Sequence, residues 1–140
     1  MPKRILLCDD ELHILRALEI KFLRSDYEVF TASDGEEGWE QLQKVHPDLV
    51  ITDCQMPRLN GLGLAERIHN SPEFNHLPVF MLTAKGYELD QAEVSKHYGI
   101  KAIVNKPFSP RQVFALVEQC LNPESGIAPL TFPATESLPL

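Results

Sequence analysis

Long apolar runs, paired cysteines and an excess of positive charge are all missing from this chain. The longest nearly apolar stretch, Leu77–Ala84, is far too short to cross a bilayer, which takes about 20 residues of helix. The first residues, Met1-Pro2-Lys3-Arg4, run straight into a short apolar segment that contains Cys8, Asp9 and Asp10. A secretory leader needs a longer apolar region and a small-residue cleavage site, so the expected compartment is the cytoplasm. Cys8, Cys54 and Cys120 are odd in number, widely spaced and lack a Cys-x-x-Cys pair. That argues against a disulfide framework or a zinc site and for buried or half-buried free thiols. Basic residues are outnumbered, 13 Lys and Arg against 20 Asp and Glu, for a formal net charge of −7. A face that binds a phosphate backbone or an anionic membrane needs the opposite balance, so neither is expected as a partner of this chain.

What is there suits one globular domain. The 140 residues are 44% hydrophobic and 24% charged, enough for a full-sized core. Ile5-Leu6-Leu7-Cys8 reads as a buried strand, and Asp10 as the N-cap of a helix with Leu15, Leu18 and Phe22 at helical spacing. Tyr27–Thr31 is a second strand. Ser33-Asp34-Gly35-Glu36-Glu37 resembles a capping box that opens a helix with Trp39, Leu42 and Val45 on its inner stripe. Leu49–Thr52 is a third strand, followed by a loop with Pro57 and Asn60-Gly61 and then a short helix through Leu64 and Ile68. Pro78–Leu82 is a strand, Glu88–Tyr98 helix-like with Gly99 as its C′ residue, and Ala102–Val104 a last strand. Ser109-Pro110-Arg111-Gln112 opens the final helix, with Val113, Leu116, Val117 and Cys120 as its stripe.

Strand and helix thus alternate five times. Apolar runs without polar alternation imply a parallel sheet covered on both faces, and right-handed crossovers favour a doubly wound α/β fold. Residues 1–122 form the expected domain. Residues 123–140 hold four prolines and no apolar period, and are expected to be a disordered tail or a linker.

In a doubly wound sheet, ligands bind beyond the carboxyl ends of the strands. There the chain places Asp9 and Asp10, then Asp53, then Thr83-Ala84, then Asn105-Lys106-Pro107. Three ionised carboxylates close together repel, each close pair by about 4 kcal/mol at about 4 Å and an effective dielectric near 20. A hard divalent ion with oxygen ligands relieves that, and Mg²⁺ suits a site with one or two carboxylates and several waters. Lys106 and such an ion can neutralise a transferring phosphoryl group, Thr83 can donate a hydrogen bond to one of its oxygens, and Asp53 is then the nucleophile. Bland readings compete: Asp10 as a simple cap, Asp53 as a turn residue, Thr83 as a strand end, Lys106 as a surface lysine. Trp39, Phe22 and Phe114 read as core. His13, His46, His69, His76 and His97 show no ligand spacing.

Four segments together carry a resemblance: Cys8-Asp9-Asp10-Glu11, Asp53-Cys54-Gln55-Met56-Pro57-Arg58-Leu59-Asn60-Gly61, Leu82-Thr83-Ala84 and Lys106-Pro107-Phe108. Each is weak alone; in this order, each at a strand end, they resemble the response-regulator receiver family of two-component signalling, over about residues 3–121. The resemblance implies a flavodoxin-like (βα)5 fold with a five-stranded parallel sheet of order 2-1-3-4-5. It implies Asp53 as phosphoacceptor and a magnesium site (Mn²⁺ as a substitute) of Asp10, Asp53 and the backbone carbonyl of Gln55, with Asp9 acting largely through metal-bound water. Thr83 and Lys106 would contact the phosphoryl group, and the Lys106–Pro107 bond is expected to be cis, against about 5% of X-Pro bonds generally. The donor would be a phosphohistidine on a sensor histidine kinase or a histidine phosphotransfer protein. The receiver of the signal would be a downstream protein or an output domain outside these residues.

The chain also departs from that pattern. Many receivers carry Tyr or Phe three residues before the lysine, and here the position is Ile103. Movement of Thr83 and of the loop after it, where Gly86 allows freedom, is the route left open. Gln55 and Lys85 stand where the family tunes the lifetime of the acyl phosphate. Two other functions fit the same fold: a phosphate-independent interaction module, and a flavin-binding or aspartyl-phosphate enzyme. The adjacent pair Asp9-Asp10 disfavours the second. It lacks the Asp-x-Asp spacing of such phosphatases, and it would repel a flavin phosphate. The expected activity is therefore that of a signalling phosphoacceptor, which catalyses only its own phosphorylation and dephosphorylation.

Overall fold

The computed structural model describes residues 2–84, 96 and 98–122. Five parallel strands form one sheet in the order β2-β1-β3-β4-β5, as expected. In chain order the elements are β1 (Arg4–Cys8), α1 (Leu12–Leu23), β2 (Glu28–Ala32), α2 (Gly35–Val45), β3 (Leu49–Asp53), α3 (Gly61–His69), β4 (Val79–Thr83), β5 (Ile100–Asn105) and α4 (Pro110–Leu121). The fold is thus a flavodoxin-like doubly wound α/β sheet. The helix expected over Glu88–Tyr98 and the tail 123–140 lie outside, or almost outside, the described residues. No helix among the described residues is long and apolar enough to cross a membrane.

The unbroken apolar strands follow from burial on both faces. Along β1, Ile5 and Leu7 enter one core with Leu15, Leu18, Phe22, Val113 and Val117 of α1 and α4. Leu6 and Cys8 enter the other with Leu42, Leu64 and Ile68 of α2 and α3. Alternation therefore changes which core a residue joins, not whether it meets water. β5 obeys the same rule: Ala102 and Val104 join the first core, Ile103 the second.

Two local expectations need correction. Glu11, not Asp10, occupies the N-cap position of α1, and no side chain caps that helix. Instead the Asp9 carboxylate accepts the Glu11 N–H at 2.9 Å. The Asp10 carboxylate lies with those of Asp9 and Asp53. Trp39 is only half-buried, because the inner stripe of α2 is Gly35, Gly38, Leu42 and Val45. The helix approaches β1 so closely that a Cβ at Gly38 would sit 2.9 Å from Cys8 Sγ. Trp39 is turned to the rim, edge-on to Phe74 and beneath the Arg67 guanidinium.

Other caps form as expected. Asp34, the N-cap of α2, accepts the Glu37 N–H at 2.8 Å, while the Glu37 carboxylate accepts the N–H of Ser33, one residue before the cap, at 2.8 Å, a variant of the capping box. Ser109 accepts the Gln112 N–H at 3.1 Å, with Pro110 in the first helical turn. Gly99 has φ +67°, a left-handed conformation that glycine adopts without strain.

Candidate functional site

The parallel topology sends the carboxyl ends of β1, β3, β4 and β5 to one edge. Asp9 follows β1, fixed by its N–H donating to Ala32 O at 3.1 Å. Asp53 is the last residue of β3, and the next N–H, of Cys54, donates to Leu82 O at 2.8 Å, tying β3 to β4. Gly61 closes the loop that follows: its N–H donates to Cys54 O at 2.9 Å, and a Cβ there would lie 2.1 Å from Asp53 O. Only glycine fits that approach. Thr83 ends β4 and is buried. Lys106 follows β5, its N–H donating to Thr83 O at 2.9 Å, and the Lys106–Pro107 bond is cis.

These anchors converge on a cleft of about 340 Å³ lined by Asp10, Glu11, Asp53, Gln55, Thr83, Ala84 and Lys106. One carboxylate oxygen from each of Asp9, Asp10 and Asp53 lies within 4.8 Å of the others. Lys106 Nζ stands 3.0 Å from Asp53 Oδ1 and 3.5 Å from Asp9 Oδ2. Asp10, Asp53, Gln55, Thr83 and Lys106 thus line one cleft, with the Asp9 carboxylate beside those of Asp10 and Asp53.

Electrostatics shows what the cluster lacks. Burial, and then the neighbouring Asp53 charge, push the Asp9 carboxyl up to about 6, against the pull of the Glu11 amide and Lys106. Burial also raises Asp53, with Lys106 opposing and Asp10 adding to the rise. Burial works against the charge of Lys106, but hydrogen bonds to Glu11 and Asp53, with the charge of Asp9, hold its proton more firmly than usual. Asp9 Oδ2 is buried and accepts no hydrogen bond among the described residues. An orphaned buried carboxylate oxygen costs free energy. Set beside two more hard oxygen donors, it fits a divalent cation of the magnesium type. A soft-metal site is not favoured: burial and then the Asp53 charge raise the nearby Cys54 thiol, and the opposing pull of the Thr83 hydroxyl and Lys106 does not cancel that rise, so it is no ready thiolate.

One participant was not assigned a role from the sequence. Glu11 Oε1 lies 2.8 Å from Lys106 Nζ, so a fourth carboxylate joins the cluster. The third consecutive acid in Asp9-Asp10-Glu11 was the available signal. Lys85 lies outside the described residues.

Comparison with known proteins agrees with this geometry. The family described as "Response regulator receiver domain" matches residues 5–118. The alkaline phosphatase synthesis transcriptional regulatory protein PhoP of Bacillus subtilis is 37% identical over 129 residues, 92% of this chain and 52% of the relative. The probable transcriptional regulator ycf27 of Cyanophora paradoxa is 39% identical over 119 residues, 85% of this chain and 48% of the relative. The chain thus spans about half the length of these curated relatives. Among solved structures, a response regulator from Chloroflexus aurantiacus superposes with TM-score 0.75 at 32% identity, covering 85% of this chain and 97% of the other. The chemotaxis response regulator CheY4 of Vibrio cholerae superposes with TM-score 0.78 at 25% identity, covering 86% and 100%. With its strand order, its acidic cleft and its relatives in agreement, the chain belongs to the response-regulator receiver domain family of two-component signalling, whose known role is to accept a phosphoryl group.

Proposed function

We propose that Asp53 is the residue that accepts the phosphoryl group. The observation that carries this reading is the place of its carboxylate, buried at the end of β3, 3.0 Å from Lys106 Nζ and clustered with the carboxylates of Asp9 and Asp10. An Asp53 oxygen attacks phosphorus, Lys106 offsets the charge on the phosphoryl oxygens, and the Thr83 hydroxyl turns to donate to one of them. Asp9, Asp10, Asp53 and the backbone carbonyl of Gln55 would hold Mg²⁺, or Mn²⁺ in its place, which supplies further charge neutralisation when bound. The product is an acyl phosphate, so the chain acts as a signalling phosphoacceptor that promotes only its own phosphorylation and dephosphorylation.

The donor in this reading is a phosphohistidine on a sensor histidine kinase or a histidine phosphotransfer protein. Support comes from a second hollow beside the cleft, about 520 Å³, lined by apolar groups including Ile14, Ala17, Phe108 and Pro110. A helical donor can set its apolar face there and present its phosphohistidine to Asp53. The added charge, about −1.5 to −2, then alters the surface for a downstream protein or for an output domain outside these residues. Ile103, fully buried, stands where a swinging aromatic would, so in this reading the change begins at Thr83. Net charge of −7 argues against nucleic acid as a partner of this chain.

Exposure of the full chain to beryllofluoride or acetyl phosphate with Mg²⁺, read by intact mass, tests the assignment. Wild type gains a Mg²⁺-dependent adduct and Asp53→Asn gains none. An adduct retained in Asp53→Asn, or none in wild type, refutes it.

A further inference from the structure

The Lys106 ammonium is already engaged. Its Nζ lies 2.8 Å from Glu11 Oε1, 3.0 Å from Asp53 Oδ1 and 3.5 Å from Asp9 Oδ2. An ammonium has three N–H donors; Glu11 and Asp53 accept from it, and Asp9 Oδ2 stands at ion-pair distance. A phosphoryl group on Asp53 brings new oxygens that compete with these partners for the same cation. The side chains of Asp9 and Asp53 are 1% and 7% exposed, fixed in the floor of the cleft, whereas that of Glu11 is 46% exposed. Water replaces Lys106 around an exposed carboxylate at little cost, so Glu11 is the partner that leaves. Glu11 also stands between the two hollows, lining both the acidic cleft and the apolar groove.

We propose that Glu11 is a positioning residue: it holds Lys106 before transfer, is exchanged for the incoming phosphoryl group, and slows donors in proportion to their negative charge. The proposal rests on the reading of Asp53 as phosphoacceptor. In the step concerned, an Asp53 carboxylate oxygen bonds to phosphorus as the bond from phosphorus to the donor's leaving atom breaks, and the leaving group keeps the electron pair. Acetate leaves acetyl phosphate as the anion; ammonia leaves phosphoramidate from a nitrogen that is already protonated. Lys106 contributes charge and gives up no proton.

The test compares initial rates of Asp53 phosphorylation in the full chain with Mg²⁺, by intact mass, for wild type, Glu11→Gln and Glu11→Ala. The donors are acetyl phosphate, a dianion at neutral pH, and phosphoramidate, which carries one net negative charge. Both variants react faster, by roughly tenfold with acetyl phosphate and roughly threefold with phosphoramidate, because Coulomb repulsion scales with donor charge. The gain shrinks as salt is added. A purely structural role for Glu11 would not distinguish the donors or respond to salt in this way. Equal gains with both donors, or variant rates at or below wild type, overturn the proposal and leave Asp53 as phosphoacceptor. Absence of any adduct in wild type overturns the reading of the site and this proposal with it.

Discussion

The two ends of the sheet handle charge in opposite ways. At the amino edge, Arg4 donates to Glu28 at 3.0 Å and to Val45 O at 2.6 Å, and its N–H donates to Asp48 at 2.8 Å. Nearby, Tyr27 donates to Glu118, and Asn122 Nδ2 donates to both of them, clasping the end of α4 to the start of β2. Charge there is matched by donors. At the carboxyl edge, among the described residues, Asp9, Glu11 and Asp53 share the Lys106 ammonium, the Asp10 carboxylate lies beside those of Asp9 and Asp53, and Asp9 Oδ2 accepts no hydrogen bond. The first end holds the fold together. The second is held in place by the fold against its own repulsion, which leaves it ready for a cation and a phosphoryl group.

If that contrast is right, removing a polar group has opposite signs at the two ends. Burial raises the Asp9 carboxyl from its ordinary 3.8 to about 6. A carboxyl that holds its proton more tightly in the folded chain favours folding at low pH. That contribution is complete below about pH 4 and is lost as pH rises through about 6. In EDTA, wild type should therefore lose about 1–3 kcal/mol from this group between acid and neutral pH, at about 1.4 kcal/mol per pKa unit. Asp9→Asn should be more stable than wild type by that amount at pH 7 and equal to it near pH 4, by urea unfolding. Mg²⁺ at ten times its Kd should restore about 1.4 kcal/mol to wild type, and less to the variant. An Asp9→Asn protein less stable than wild type at pH 7 without metal would break the comparison.

The other end predicts a smaller effect of the opposite sign. Tyr27→Phe removes the hydroxyl between Glu118 and Asn122 but leaves those two side chains 3.3 Å apart. The cost is that of one hydrogen bond, about 1 kcal/mol, with no change in the response to Mg²⁺. A Tyr27→Phe protein that is as stable as wild type, or that responds differently to the metal, would remove the distinction between the two ends.

The contrast also explains what the sequence makes legible. Strands such as Leu49–Asp53 are plain because burial on both faces demands an unbroken apolar run. Asp53, Thr83 and Lys106 are plain because each ends a strand or follows one, and parallel topology sends those ends to one edge. Contacts between side chains distant in sequence are harder. Asp10 has the chemistry of an N-cap, yet α1 begins with Glu11 in that position and the Asp10 carboxylate lies with those of Asp9 and Asp53. Trp39 has helical spacing for the inner stripe, but the close approach of α2 to Cys8 reserves that stripe for Gly38. The bond from Tyr27 to Glu118 spans 91 residues and has no local signature.

Gln55 sharpens the comparison from within the site, with the smallest effect on stability. It is exposed, stands two residues beyond Asp53 and lines the cleft. An exposed side chain contributes little to the fold, so Gln55→Ala should unfold within about 0.5 kcal/mol of wild type. Its influence is on water. Hydrolysis of an acyl phosphate on Asp53 needs a water molecule to reach phosphorus through the open side of the cleft, and Gln55 is part of that rim. Truncation to alanine changes both the space and the hydrogen-bonding groups that such a water meets. A change of about 0.4–1.4 kcal/mol in that barrier corresponds to about 2- to 10-fold in rate. We therefore expect Gln55→Ala to take up the phosphoryl group with the same Mg²⁺ dependence as wild type but to lose it at a different rate, followed by the decay of the adduct mass after removal of the donor. An unchanged lifetime would mean that the cleft rim does not control water, and that the polar excess at this end serves formation of the acyl phosphate and not its duration.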